Sequence, residues 1–268
     1  MPSQHAEAVP VQLIDDSPIE EYGEAFADIH DTSHVFADDT ELALDLVERL
    51  ADGEPVLELG VGTGRLARAL AKRGLTVWGV DSSPKMLERL ARQPGGESVH
   101  TVLSDIKKLD LPKTAPRFGI VLAAFNTLFS LPTDDAQRAC LQGASDVLSD
   151  VGNVILELYV PGAPPPPWTP RFKIDMVTAE GAMLKVYEWW PDEELLVGEH
   201  REVTASGVRS HPWRLHPVEV ERLDALASSA SLELVDRFAS WDGQPFSPLS
   251  NRHVSIYRKR PETETPAG

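Results

Sequence analysis

The chain has 268 residues, 42% of them hydrophobic, a formal net charge of −17 and a single cysteine, Cys140. That length buries a full core in one large α/β domain, or in one domain carrying a sizeable insertion. No apolar run approaches the roughly 20 residues of a membrane span. The acidic balance argues against a general affinity for nucleic acid or anionic membrane, because both need a basic surface. The first residues, MPSQHAEAVP, lack a basic segment followed by an apolar core, and a lone cysteine forms no intrachain disulfide. No secretory signal is read there, and the expected compartment is the cytoplasm.

Acidity is densest at the start: residues 1–54 hold fifteen Asp or Glu against one basic residue, Arg49. Such a bias makes a solubilising surface, or a field that attracts a cationic, amine-bearing substrate. Residues 1–17 read as an acidic lead-in and 18–31 as a short helix. A second helix is expected over 38–51, with Leu42, Leu46, Val47 and Leu50 at helical spacing and Asp38 or Asp39 as cap. Pro55–Gly60 is then a short apolar strand. Arg65–Lys72 reads as a helix stopped by Gly74, Thr76–Val80 as a second strand, and Pro84–Ala91 as a helix with proline in its first turn. Strands follow at Val99–Leu103 and Phe118–Ala124, a helix at Asp134–Leu148, and a fifth strand at Val154–Val160. Near-continuous apolar strands alternating with helices indicate a parallel sheet covered on both faces.

The alternation breaks at Pro161. PGAPPPPWTP is too rich in proline for a helix or a central strand and reads as an extended connector. Residues 171–205 suggest two or three antiparallel strands, FKIDMV, MLKVYEWW and ELLVGEHREV. Pro217–Ala230 returns to helix, Leu232–Ala239 and His253–Arg258 are two last strands, and 261–268 reads as a disordered tail.

The strongest chemical signal is VLELGVGTGR, residues 56–65: a strand running into a glycine-rich turn with a helix directly after. Gly60, Gly62 and Gly64 let the backbone turn sharply and approach a ligand, and the helix N-terminus beyond presents free N–H groups. The spacing is G-x-G-x-G, whereas the dinucleotide fingerprint is G-x-G-x-x-G; an NAD(P) oxidoreductase is weakened accordingly. Glu58 lies inside an otherwise apolar strand, where a charge is costly without a partner. Its partner is a ligand, or a neighbouring lysine or arginine. Asp81 ends the second strand and is suited to accept hydrogen bonds from two ribose hydroxyls, or to cap the helix that begins near Ser83. Asp105 follows the third strand. All three acids are expected along one edge of the sheet.

With those residues in place, the sequence closely resembles the class I S-adenosylmethionine (SAM)-dependent methyltransferases. ELGVGTGRL, GVDSSPKML, LSDIKKL and FGIVLAAFNTLFSL match four successive motifs of that family over residues 56–132. The resemblance implies a Rossmann-like α/β fold with a seven-stranded, mostly parallel sheet, helices on both faces, and an antiparallel β insertion between strand 5 and the next helix. It divides the chain into an N-terminal segment covering the cofactor site (1–54), a SAM-binding core (55–160), a lid (161–215), a C-terminal completion of the core (216–260) and the tail. It also implies that Glu58, Gly60, Gly62, Thr63, Gly64 and Arg65 hold the methionine part of SAM, that Asp81 holds the ribose, and that Ser82 and Met86 flank the adenosine. Asp105 would accept from the adenine amino group beside the Ile106 backbone. The Ala123 carbonyl would meet the methionine amino group, Phe125 would line the site near the sulfonium, and Tyr22 would close over it. S-adenosylhomocysteine (SAH) would be the product.

The fourth motif, AAFNTLF, lacks the N/D-P-P-aromatic signature of some nucleic-acid methylases, which points with the charge to a small-molecule acceptor, such as a natural product methylated on N or O. Phe26, Asn126, Trp168, Tyr187, Trp189 and Trp213 are candidate acceptor contacts, and the 161–215 insertion is a candidate homodimer contact. His30 and His211 are the preferred general-base candidates among His30, His34, His211, His216 and His253. Asn251, Arg252 and His253 precede the last strand within reach of the pocket. No histidine set has metal-ligand spacing. A SAM-binding natural-product cyclase and a nonenzymatic SAM sensor are the alternatives that the cofactor motifs alone do not separate.

Overall fold

The computed structural model describes residues 39–166, 170–177 and 181–260. The expected helix over 18–31 with Tyr22, Phe26 and His30, and likewise His34, Trp168 and the tail 261–268, lie outside the described residues.

Helix α1 (Thr40–Ala51) opens the described fold. Its buried stripe runs through Ala43, Leu44, Leu46, Val47 and Ala51, while Leu42, expected to face inward, is 41% exposed. The inward stripe is thus centred on Leu44, Val47 and Ala51, and Leu42 falls outside it. Asp39 occupies the N-cap position, yet its side chain makes no cap hydrogen bond and pairs instead with Arg252 at 2.6 Å. Three of the N-terminal acids, Glu41, Asp45 and Glu48, converge on Arg73 at 2.6, 2.6 and 3.0 Å. These pairs tie α1 to the next helix at an exposed surface, where each contributes little.

The main sheet is built from β1 (Val56–Leu59), β2 (Val77–Asp81), β3 (Val99–Leu103), β4 (Phe118–Ala123), β5 (Leu148–Tyr159), β10 (Leu232–Phe238) and β11 (Arg252–Lys259), in the order β10-β11-β5-β4-β1-β2-β3. All pairings are parallel except those of β11, which runs antiparallel to both neighbours. The strand order reverses between β1 and β4, which makes a ligand crevice at their carboxyl ends. Because β11 is reversed, its first residue, Arg252, pairs with Tyr159 at the end of β5 and so reaches the same edge.

Helices α2 (Arg65–Lys72) and α3 (Pro84–Arg92) join α1 on one face, and α4 (Asp134–Val147) and α5 (Val220–Ser229) cover the other. Strand alternation divides the core accordingly. Leu57, Val121, Leu156 and Leu158 pack with Cys140, Leu141 and Ala144 of α4 and with Leu223 and Ala227 of α5. Val56, Val77, Ile120 and Ile155 pack with Leu44 and Val47 of α1 and with Leu66 and Leu70 of α2. Burying each such side chain contributes about 1.5–3 kcal/mol before entropy is counted. Burial also pushes the Cys140 thiol up to about 12, so it stays protonated.

The insertion is a four-stranded antiparallel sheet, β6 (Arg171–Val177), β7 (Gly181–Trp190), β8 (Leu195–Thr204) and β9 (Gly207–Leu215), in sequential order. The sequence suggested two or three strands. The additional strand, GVRSHPWRL, is polar and carries Pro212, features that hide a strand in sequence; they are tolerated here because β9 is an edge strand, where a missing N–H need not break a ladder. Strand β5 also starts earlier than expected, at Leu148 directly after α4, with a register shift against β4 between Phe118 and Ile120. Among the described residues no helix is long and apolar enough to cross a membrane, and no cluster of three His, Cys, Asp or Glu could hold a metal ion.

Candidate active site

The glycine turn stands at the carboxyl end of β1, and Gly60, Gly62 and Gly64 take φ of 65°, 53° and 79°. At Gly60 two constraints coincide: the left-handed backbone, and a Thr127 methyl that an added Cβ would meet at 2.6 Å. The turn therefore packs directly against the segment after β4. Glu58, two residues earlier, is buried, and its Oε2 has no hydrogen-bond partner. Burial pushes its carboxyl up to about 8, and nearby Asp81 adds a smaller push. The Arg65 charge and the Ala67 N–H oppose them without winning. Arg65 acts on Glu58 through its charge, while its Nη1 donates to Thr40 Oγ1 at 3.0 Å and ties α2 to α1. A buried acceptor left open beside a glycine cradle fits the ammonium-bearing methionine end of SAM.

Asp81 lies where β2 ends. Gly62 N–H donates to its Oδ2 at 2.8 Å and Ser83 N–H to its Oδ1 at 2.9 Å. One carboxylate thus fixes the glycine turn to the next strand end while remaining partly exposed. The cap of α3 is Ser83, whose Oγ accepts from Met86 N–H at 3.2 Å. Ser82 is exposed and Met86 buried on the same edge. Asp105 follows β3; its Oδ1 accepts from Lys107 N–H at 2.9 Å and its Oδ2 lies 3.0 Å from Lys107 Nζ, with Ile106 buried beside it. Glu58, Asp81 and Asp105 therefore follow one another along the carboxyl edge, as the sequence predicted.

The segment after β4 completes the edge. Ala123 is buried, whereas Phe125 is 42% exposed. Phe125 and Asn126 take φ of 50° and 65°, a left-handed pair costing on the order of 1 kcal/mol or more each. Glu157 offsets that strain. Its Oε2 accepts from Phe125 N–H and its carbonyl from Asn126 N–H, both at 2.9 Å, while Asn126 Oδ1 accepts from Tyr159 N–H at 2.7 Å. Sequence reasoning missed Glu157, although the signal was the one that marked Glu58: an acid inside an apolar strand, VILELY.

In the antiparallel insertion, Tyr187, Gly198 and Trp213 stand in register on adjacent strands and share a face. The Trp213 ring lies across Gly198, where any Cβ would overlap it, and the Tyr187 ring centroid is 6.4 Å away. Trp189 is on the same face one pair further, opposite Leu196. His211 pairs across the ladder with His200, and both are buried. Burial, with the charge of Lys185, pushes His200 down to about 4, so it is neutral near pH 7. Tyr187 and Trp213 are thus brought together with His211. Two further candidates, His216 and His253, are engaged by the fold. Both ring nitrogens of His216 are bonded, Nδ1 to the Glu194 carbonyl at 3.0 Å and Nε2 to Asp134 at 2.9 Å. His253 is fully buried against Ser255 Oγ at 2.8 Å, and burial pushes it down to about 4.

A doubly wound sheet with a glycine cradle, an open buried acid and a second acid at the next strand end defines a fold that grips a nucleoside-bearing ligand. Residues 56–152 match the methyltransferase-domain family model. The chain is 35% identical to the CcbJ methyltransferase from Streptomyces caelestis, with a TM-score of 0.82, and the likeness covers 89% of this chain and 98% of that one. The SAM-bound amino pentose methyltransferase CalS10 from Micromonospora echinaspora shares the fold at 20% identity, with a TM-score of 0.63 over 86% of this chain and 94% of that one. In sequence, the chain is 33% identical over 42% of its length to a cypemycin N-terminal methyltransferase from Streptomyces sp., spanning 45% of that protein, so it matches about half the length of its curated relatives. The chain belongs to the class I SAM-dependent methyltransferases.

Proposed function

We propose that this protein transfers the methyl group of SAM to a small-molecule acceptor, with an amine nitrogen favoured over a hydroxyl oxygen. The observation that carries the reading is the open, buried Oε2 of Glu58 beside the Gly60–Gly64 turn. When bound, SAM supplies a methyl carbon made electrophilic by its sulfonium. The chain's own residues bind and orient. Glu58 and the turn hold the methionine end, and Asp81, with Ser82 and Met86 beside it, holds the adenosine. Asp105 and Ile106 meet the adenine. Phe125 and Asn126 face the reacting end, and the lid residues Tyr187, Trp189 and Trp213 wall the acceptor and exclude water. Positioning an acceptor lone pair in line with the C–S bond supplies much of the rate.

Two observations support nitrogen. The chain carries a net charge of −17, which attracts a cationic amine, and its cypemycin relative is named for an N-terminal methyl transfer. The ammonium must first release a proton to solvent to bare its lone pair; the neutral amine then requires no further base, and His211, packed against His200 inside the insertion sheet, need only be a polar wall. The name of that relative also favours methyl transfer over a cyclase. A cytoplasmic site of action and a homodimer through the lid belong to the same proposal.

The test is calorimetric titration with SAM and SAH, with NAD and NADP as controls, followed by transfer of labelled methyl from SAM to a panel of amines and phenols. Saturable binding of the adenosyl compounds alone, weakened in Asp81→Ala, and label appearing on amines are expected. Folded protein that binds neither adenosyl compound overturns the reading, and label only on phenols overturns the preference for nitrogen.

A further inference from the structure

We propose that Glu157 and Arg252 are positioning residues that hold the Phe125 ring toward the positive centre of the cofactor; the inference rests on the cofactor reading above. Phe125 is the exposed aromatic residue at the carboxyl end of β4, and its turn touches the glycine cradle through Thr127 and Gly60. A left-handed phenylalanine followed by a left-handed asparagine does not keep that shape unaided. Glu157 supplies the constraint with two acceptors, its Oε2 to Phe125 N–H and its carbonyl to Asn126 N–H, each at 2.9 Å.

Glu157 is itself held. It is 7% exposed, and its Oε1 lies 3.4 Å from Arg252 Nη1. The same Nη1 is 2.6 Å from Asp39 Oδ2, and Arg252 Nη2 donates to Ser240 Oγ at 2.8 Å. The chain Asp39–Arg252–Glu157–Phe125 thus joins the head of α1, the start of β11, the end of β5 and the turn after β4. All four ends meet at the ligand edge of the sheet, although Glu157 and Arg252 are 95 residues apart. A brace that served stability alone would not need to end on the backbone of an exposed aromatic residue.

The consequence is selective. SAM carries a sulfonium cation and SAH a neutral thioether, and an aromatic face attracts only the cation. Loss of the ring's position therefore lowers the affinity for SAM relative to SAH, whereas general loosening weakens both alike.

The experiment measures both affinities by calorimetry on the full chain. Phe125→Leu is expected to lower the SAM-to-SAH affinity ratio about 3-fold. Glu157→Ala lowers it by a similar factor, and the double variant falls no further, because Glu157 acts through Phe125. Glu157→Gln keeps an acceptor for Phe125 N–H and retains most of the ratio. If Glu157→Ala does not fold, Arg252→Gln gives the same test: a smaller loss, absent in the Phe125→Leu background. A ratio unchanged in folded Glu157→Ala, a further fall in the double variant, or a Gln variant as poor as Ala overturns the proposal. Absence of adenosyl binding by the unaltered chain is a different failure, that of the cofactor reading itself.

Discussion

If Glu58 holds the methionine end of the cofactor as proposed, binding should be coupled to a proton. Burial pushes its carboxyl up to about 8, so at pH 7 about nine in ten ligand-free molecules hold the proton. An ammonium arriving at the open Oε2 favours the carboxylate, and the proton leaves. Binding of SAM is expected to release close to one proton at pH 7, with the release declining as pH rises toward 8, and affinity should rise between pH 6 and pH 7. Calorimetry in phosphate and in Tris reads the proton directly, since the two buffers differ in ionisation enthalpy. Glu58→Gln should abolish the buffer dependence and flatten the pH profile while weakening binding. In the ligand-free protein the same group is a liability. Between about pH 4.5 and pH 8 the folded state keeps a proton that the unfolded chain has lost, so this group's contribution to stability falls as pH rises through that window. Glu58→Gln should accordingly melt a few degrees higher at pH 8. Identical heats in the two buffers, with a pH-independent affinity, would refute the assignment of Glu58.

Two further outcomes concern the antiparallel insertion. Gly198→Ala must displace the Trp213 ring; it should cost about 1–3 kcal/mol in denaturant unfolding and raise the KM for the acceptor, with SAH affinity unchanged. Asp134 and Glu194 join the insertion to α4 and α5 through Arg222 and His216. Burial works against the Asp134 carboxylate, but hydrogen bonds from Arg222 and His216 outweigh it and hold its pKa below the usual value. The Arg222 hydrogen bonds do the same for Glu194. Their contribution is therefore present above about pH 4 and lost as pH falls below it. Thermal melts from pH 6 to pH 3 should show this loss, and Arg222→Ala should remove much of it.

Periodicity and punctuation carried most of the sheet. Strand β1 is a short apolar run between Pro55 and Gly60, β2 is one that ends on Asp81, and a residue such as Glu58 stands out because its cost inside an apolar run is local. The glycine turn and Asp81 were legible for the same reason: each is a statement about a few neighbouring residues. Strand β9 was not, because Pro212 and a polar pattern conceal an edge strand whose partner, β8, supplies the pairing. Nor was the orientation of α1, since the stripe that turns inward depends on which side chains the sheet admits.

The sequence by itself determined the class of fold and the sheet edge along which Glu58, Asp81 and Asp105 lie, because strand–turn–helix punctuation and a buried acid act over a span of ten residues. Tertiary structure alone decided that Asp39 leaves the helix cap for Arg252, that Glu157 holds Phe125 in a left-handed turn, and that Trp213 lies across Gly198. Each of these joins residues distant in sequence. Their partners are chosen by the order in which strands enter the sheet, and no local pattern encodes that order.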